Sequence, residues 1–307
     1  MNPNSPEPRF GNVITAMVTP FLPDGSLDID GTVRLARWLS EHGSDGLVLA
    51  GSTGEGAALS DEEKRELWSS VAESLTVPVV AATGTADTRH TIQLTRVAEE
   101  CGADGILLVT PYYLRPSQQG LFDHFKAVSE STSLPVVLYD IPSRTGRRIA
   151  IDTTLRLVSE VKNVIGIKDA TGDVPSAARL IANAPSYFEL YSGDDSLTLP
   201  FLSVGGVGLI SVASHWAGEE FSQMISSFKA GEVHRATEIN ASLIESYVFE
   251  TSETFPNPLP AKAACRVLGL PAGQCRLPLG SAPTQLDNAA HQVLARLGKL
   301  LRDTTLD

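Results

Sequence analysis

Eight short, uniformly apolar runs alternate with amphipathic stretches between Val13 and Val212, and this alternation constrains the fold more than any other feature. The runs are Val13–Val18, Gly46–Ala50, Val77–Ala82, Gly105–Val109, Pro135–Tyr139, Val164–Ile167, Phe188–Tyr191 and Val207–Val212. A strand with one wet face alternates apolar and polar residues, whereas a strand covered on both faces reads as a continuous hydrophobic run. Between the runs lie helix-like segments such as Ser60–Leu75, where Ser60 followed three residues later by Glu63 has the form of a capping box. Eight buried strands with helices between them predict an α/β fold, the closed (β/α)8 TIM barrel, which occupies about 250 residues. An open doubly wound sheet fits less well, because no Gly-x-Gly-x-x-Gly follows the first run.

Weak internal repetition supports the same count. Gly43-Ser44-Asp45-Gly46-Leu47-Val48-Leu49 recurs 59 residues later as Gly102-Ala103-Asp104-Gly105-Ile106-Leu107-Leu108, and Val77-Pro78-Val79-Val80 recurs 57 residues later as Leu134-Pro135-Val136-Val137. Two βα units per repeat give that offset. After Gly231 the strand pattern ceases, and helical patterns near Glu232–Glu250, Leu259–Leu268 and Pro283–Leu301 predict a carboxy-terminal helical extension. The expected division is a catalytic barrel over residues 1–231 and a helical domain over residues 232–307.

The chain of 307 residues carries a net charge of −12, which disfavours a phosphate backbone or an anionic membrane as the main partner. A small anionic substrate then needs a local basic group. Cys101, Cys265 and Cys275 are too few and too scattered for a disulfide framework or a four-ligand zinc site. The six histidines show no paired metal-ligand spacing, so no metal is expected. The polar stretch Met1–Pro8 lacks the apolar core of a signal peptide, and no run approaches the roughly 20 apolar residues of a membrane helix. The expectation is a cytoplasmic protein.

In such barrels the chemistry lies at the carboxy-terminal ends of the strands, and few polar residues end the runs. Val164-Ile165-Gly166-Ile167 carries Lys168 into an apolar rim, where desolvation favours the neutral amine that attacks a carbonyl to form a Schiff base. The same tripeptide Ile-Lys-Asp also fits a structural lysine paired with Asp169. Tyr139 ends the neighbouring run, where its phenol can serve Lys168 as a proton shuttle or simply belong to the rim. Gly51-Ser52-Thr53-Gly54 offers two hydroxyls and backbone N–H groups suited to a carboxylate, and reads equally as a helix-entry turn. Arg144, in Ile141-Pro142-Ser143-Arg144-Thr145-Gly146, offers a planar fork for a second carboxylate, or is a solvated loop residue. Asp194-Asp195 fits a cation site or a helix start, the second being the plainer account.

From about Gly11 to Leu279 these motifs, in this order, resemble the dihydrodipicolinate synthase / N-acetylneuraminate lyase superfamily of class I pyruvate aldolases. Val109-Thr110-Pro111-Tyr112-Tyr113, the Tyr139–Gly146 loop, Gly166-Ile167-Lys168-Asp169-Ala170-Thr171-Gly172, Ser192-Gly193-Asp194-Asp195 and Pro256-Asn257-Pro258-Leu259-Pro260-Ala261-Lys262 are similar to its synthase branch. The resemblance implies condensation of pyruvate with aspartate 4-semialdehyde to 4-hydroxy-tetrahydrodipicolinate, toward diaminopimelate and lysine. It implies a pyruvate imine on Lys168 and a proton relay through Tyr139, Ser52 and Tyr113, the last reaching in from a neighbouring subunit. Thr53 would hold the pyruvate carboxylate, Arg144 the carboxylate of the aldehyde, and Gly193 and Ile210 would line the pocket. No cofactor is implied, and the expected assembly is a homotetramer built from two tight dimers.

Ser52 departs from the two adjacent threonines of most synthases, and Gly-Ser-Thr-Gly-Glu is common among the lyases. A lyase acting on a sugar-derived 2-keto acid therefore stands as the alternative substrate, and a non-catalytic ligand-binding relative as the alternative class. Where lysine-inhibited synthases carry two histidines, an asparagine and a glutamate, this chain has Asp61, Lys64, Ala86 and His90. Weak or absent inhibition by lysine is the corresponding expectation.

Overall fold

The structure is a computed structural model in which residues 7–300 are described. Residues 1–6 and 301–307 lie outside them, and with them both outer limits of the expected division and the last residue of the expected 283–301 helix. All eight apolar runs form strands: β1 (Val13–Ala16), β2 (Gly46–Leu49), β3 (Val79–Ala82), β4 (Gly105–Val109), β5 (Val136–Asp140), β6 (Val164–Asp169), β7 (Glu189–Ser192) and β8 (Gly208–Ser211). Each pairs in parallel with the next, and β8 pairs with β1, so the sheet closes into a barrel. Closure leaves no edge strand, and nearly every strand residue is buried.

Two strand ends differ from the apolar runs for identifiable reasons. After Ala16 the chain leaves the ladder, and the Val18 N–H donates to His215 Nε2 at 3.1 Å, a side-chain partner in place of a strand. β6 runs two residues past Ile167, so Lys168 and Asp169 belong to the sheet, paired with Tyr139 and Asp140 of β5. These side chains are therefore carried by rigid backbone rather than by a loop.

Alternation along each strand divides the apolar residues into two cores. Ile14, Ala16, Val48, Val80, Leu107, Val137, Tyr139, Tyr191 and Ile210 fill the barrel interior, and Phe10 plugs its lower end. A Cβ at Gly105 would lie 2.2 Å from Phe10 Cζ, so glycine is the residue that lets the plug seat. The larger core lies between the sheet and the surrounding helices, with Leu35, Leu39, Trp68, Phe125, Leu157, Phe201 and Phe221 among its members. The expected capping box is present: Ser60 Oγ accepts from Glu63 N and Ser60 N donates to Glu63 at the start of helix Asp61–Ala72.

The carboxy-terminal helices are Val233–Ser242, Ile244–Phe249, Leu259–Val267 and Thr284–Arg296. The expected 232–250 segment is thus two helices, broken at Leu243. This region is fastened to the barrel mouth by a buried ion pair, with Lys262 Nζ 2.6 Å from Glu55 Oε1 in the turn after β2. Lys262 also donates to the Gln274 carbonyl at 3.0 Å, and the Arg276 N–H donates to Glu55 Oε2 at 2.8 Å. Burial lowers the Lys262 pKa, and the Glu55 carboxylate works against that. Losing one partner of a buried pair costs about 3–5 kcal/mol, because the other is left charged and dry. Among the described residues no helix is long and apolar enough to cross a membrane.

Candidate active site

Lys168 and Tyr139 are register partners on adjacent strands, and the Lys168 ammonium nitrogen lies 4.4 Å from the centre of the Tyr139 ring. The two stand side by side rather than facing each other across the mouth. Lys168 is 5% exposed and forms no ion pair or hydrogen bond among the described residues. Asp169, the counter-ion weighed for it, points to the opposite face of the sheet, as successive strand residues do, and accepts from Thr171 N at 2.8 Å. Gly193 follows β7, its N–H donating to the Asp169 carbonyl at 2.7 Å. A Cβ there would lie 3.1 Å from Lys168 Cε and 2.8 Å from Ala170 Cβ, so glycine leaves the lysine its room. Ile210 joins Tyr139 in the interior core.

A cavity of about 610 Å³ opens beside this pair. Ser52, Tyr112, Tyr139, Ile141 and Arg144 line it. Lys168, Thr53, Gly193 and Ile210 are absent from its wall, and the Lys168 nitrogen lies against the ring of Tyr139, which does line it. The strand-2 turn that carries Ser52 and Thr53 is bracketed by left-handed residues, Ala50 at φ 57° and Glu55 at φ 53°. Ser52 is exposed, whereas Thr53 is buried and its Oγ1 accepts from Asn257 Nδ2 at 2.9 Å. Arg144 sits on the one-turn helix Pro142–Thr145 and donates to the Asn257 carbonyl at 3.3 Å. Tyr113 is not brought into this chain's cavity: it is 90% exposed, with φ at 71°.

Outward the same cavity reaches Asp61, Lys64, His90 and Leu277–Leu279. His90 Nε2 lies 2.9 Å and Lys64 Nζ 3.7 Å from the Asp61 carboxylate. Lys64 is buried, and desolvation lowers its pKa. Ala86 does not line the cavity.

Sequence reasoning missed three groups. Asn257 lay in a quoted motif without a role. Asp194-Asp195 is the helix start that the sequence favours, with Asp195 opening the short helix Asp195–Leu197, but the further role of Asp195 was not foreseen: its Oδ2 accepts from Ser211 Oγ, Val212 N and Ala213 N just beyond β8. The cap is Asp194, which accepts from Ser196 N at 3.0 Å. Burial and the Asp195 charge hold the Glu250 carboxyl well above the usual carboxylate range. No local pattern marks Glu250. Among the described residues, no group of three or more His, Cys, Asp or Glu side chains is placed to hold a metal.

A (β/α)8 barrel with an uncompensated lysine and a tyrosine at adjacent strand ends, beside a cavity lined by Arg144 and Arg276, has the form of a barrel enzyme that works on small carbonyl acids. Residues 9–297 match the dihydrodipicolinate synthetase family, and the chain belongs to that family. It is 48% identical over 296 residues to the 4-hydroxy-tetrahydrodipicolinate synthase of Moorella thermoacetica, covering 95% of this chain and 100% of that one. The dihydrodipicolinate synthase structure from Cyanidioschyzon merolae with lysine bound superposes with a TM-score of 0.93 at 39% identity, covering 96% of this chain and 100% of the other. The chloride-inhibited enzyme of Acinetobacter baumannii complexed with pyruvate gives 0.90 at 36% identity, over 95% and 100% of the two chains. The lyase alternative raised by Ser52 finds no support in these relatives.

Behind the site, Asp140 continues β5 outward. Its Oδ2 accepts from Ile149 N at 3.2 Å and lies 4.0 Å from Arg148 Nε, while its Oδ1 has no partner among the described residues. Burial pushes its pKa up to about 7; the Ile149 N–H and Arg148 pull it down, and the neighbouring Asp169 adds to the rise. Unfolded, the group titrates near about 3.9. The folded state therefore binds the extra proton between those values, and the stability this contributes is lost as pH rises through about 7. Asp140→Asn keeps an acceptor for the Ile149 N–H and removes the charge. Its melting temperature should exceed that of the parent above about pH 7, and the advantage should shrink steadily toward about pH 4. Thermal melts across that range check this; a constant difference contradicts the assignment.

Proposed function

We propose that this protein joins pyruvate to L-aspartate 4-semialdehyde through an imine on Lys168, giving 4-hydroxy-tetrahydrodipicolinate. The observation that carries the reading is the Lys168 amine itself, buried at a strand end, without a counter-ion among the described residues and against the Tyr139 ring. In its neutral form the amine adds to the keto carbon of pyruvate; loss of water leaves the imine. The protonated imine nitrogen is an electron sink, so a methyl proton leaves and the resulting enamine carbon attacks the aldehyde. The aldehyde oxygen takes up a proton, and the amino group of the aldehyde substrate then adds to the imine carbon, closing the ring and displacing the Lys168 amine, so the water lost in forming the imine is the net water released. Tyr139 carries protons to and from these atoms in a relay with Ser52 and with Tyr113 of a neighbouring copy.

Thr53 holds the pyruvate carboxylate and Arg144 that of the aldehyde, while Gly193 and Ile210 shape the pocket. The exposure of Tyr113, with Leu114 exposed beside it, supports a role outside its own chain, in a homotetramer of two tight dimers. The imine chemistry calls for no cofactor. The protein works in the cytoplasm on two small-molecule substrates, without nucleic acid or membrane as partners, and its three free cysteines fit a reducing compartment. The cluster of Lys64, Asp61 and His90 already satisfies its own charges, which leaves the ammonium and carboxylate of lysine without matched partners.

Borohydride reduction in the presence of pyruvate should attach one pyruvate-derived group to Lys168, read by peptide mass. Lys168→Ala should give no adduct and no turnover while melting as the parent does; turnover in that variant removes the scheme. Arg144→Ala should raise KM for the aldehyde by about tenfold to a hundredfold, the loss of a charge-assisted hydrogen bond, and move the pyruvate KM little. An unchanged aldehyde KM takes that role from Arg144. Free lysine should half-inhibit only above about 1 mM, an interaction of about 4 kcal/mol or less. Tighter inhibition in an initial-rate titration contradicts it.

A further inference from the structure

Asn257 stands between helices Ile244–Phe249 and Leu259–Val267, outside the barrel, yet it touches both groups assigned to substrate carboxylates. It is 8% exposed. Its side-chain Nδ2 donates to Thr53 Oγ1 at 2.9 Å, its carbonyl accepts from Arg144 Nη2 at 3.3 Å, and its N–H donates to Thr251 Oγ1 at 3.3 Å. The amide oxygen Oδ1 is buried and has no partner among the described residues. The bond to Thr53 is therefore the one hydrogen bond that fixes the Asn257 side chain.

A threonine hydroxyl has one proton and two acceptor positions. Thr53 is 4% exposed, and its only side-chain hydrogen bond among the described residues is the one it accepts from Asn257. With an amide N–H occupying a lone pair, the hydroxyl cannot turn its proton toward Asn257, and no protein acceptor takes it. The proton is left for a ligand, which is what an anion site requires.

We propose that Asn257 is a positioning residue: by donating to Thr53 Oγ1 it aims the Thr53 hydroxyl proton at the pyruvate carboxylate. Its main-chain carbonyl holds the Arg144 fork at the second carboxylate. The inference rests on the assignment of Thr53 to pyruvate made above. Replacing the amide with a carboxylate reverses the polarity: an aspartate accepts the Thr53 proton, draws it away from the ligand and places a negative charge beside an anion site. Removing the side chain only frees the hydroxyl to rotate. The carbonyl that meets Arg144 is main chain and is retained in either variant.

The test is the pyruvate concentration that half-saturates borohydride trapping on Lys168, measured for the parent, Asn257→Asp, Asn257→Ala, Thr53→Val and the double variant Thr53→Val/Asn257→Ala. Asn257→Asp should raise that concentration by about tenfold or more, and Asn257→Ala by less, the scale of one lost charge-assisted hydrogen bond. The alanine change should add nothing once Thr53 is valine, because residues acting through one bond are not additive. KM for the aldehyde should stay within about threefold of the parent in Asn257→Ala, since Arg144 keeps its carbonyl partner. The inference is overturned by a half-saturation in Asn257→Asp within about twofold of the parent, or by full additivity of the alanine and valine changes. Should the aspartate variant fail to fold in a melt, the alanine and valine cycle decides alone. Absence of any adduct on the parent overturns the site assignment, and this inference with it; an adduct on the parent with unmoved variants overturns the inference only.

Discussion

Closure of the parallel barrel is the constraint on which everything else depends. Because each strand is covered on both faces, the sheet admits polar side chains almost only where strands end, and the hydrogen-bond register then decides which of them are neighbours. The pairing of β5 with β6 sets Tyr139 against Lys168 on the inner face and Asp140 against Asp169 on the outer face. One register thus makes two sites of opposite character. Inside, an amine lies against an aromatic ring without a counter-ion; outside, two carboxyls share a dry environment in which burial raises both pKa values. A slip of one residue would exchange the two faces.

The carboxy-terminal helices complete the mouth of the barrel. Three of their contacts end within the strand-end turns: Lys262 on Glu55, Asn257 on Thr53, and Glu250 on Asp195, which itself gathers the backbone just past β8. Each pairs a buried polar group with another, and each would be costly if half of it were removed. Such contacts add less to net stability than apolar packing of equal volume. What they secure is placement, because the turns after β2 and β8 have no regular structure of their own to hold their side chains.

Against this, the segment Tyr112–Leu114 stands out from the chain with large apolar side chains exposed and Tyr113 in a left-handed conformation. Exposed aromatic and aliphatic residues adjoining a cavity fit a contact with another copy. Ser52 and Tyr139 share a cavity wall to which this chain's own Tyr113 does not contribute.

The barrel, its eight strands and the position of Lys168 at a strand end were legible from the residues alone, because continuous apolar runs and the residues that end them are local patterns that burial on both faces imposes. The sequence also contained the capping box at Ser60 and Glu63, a signal three residues long. Which distant groups meet is settled by the folded chain alone. Nothing local says that Asn257 crosses 204 residues of chain to Thr53, that Glu250 is buried close enough to Asp195 to feel its charge, or that Lys168 is left without the carboxylate next to it in sequence. Those outcomes depend on direction as much as on identity: a strand turns successive side chains to opposite faces, and a closed sheet fixes which face each neighbour sees.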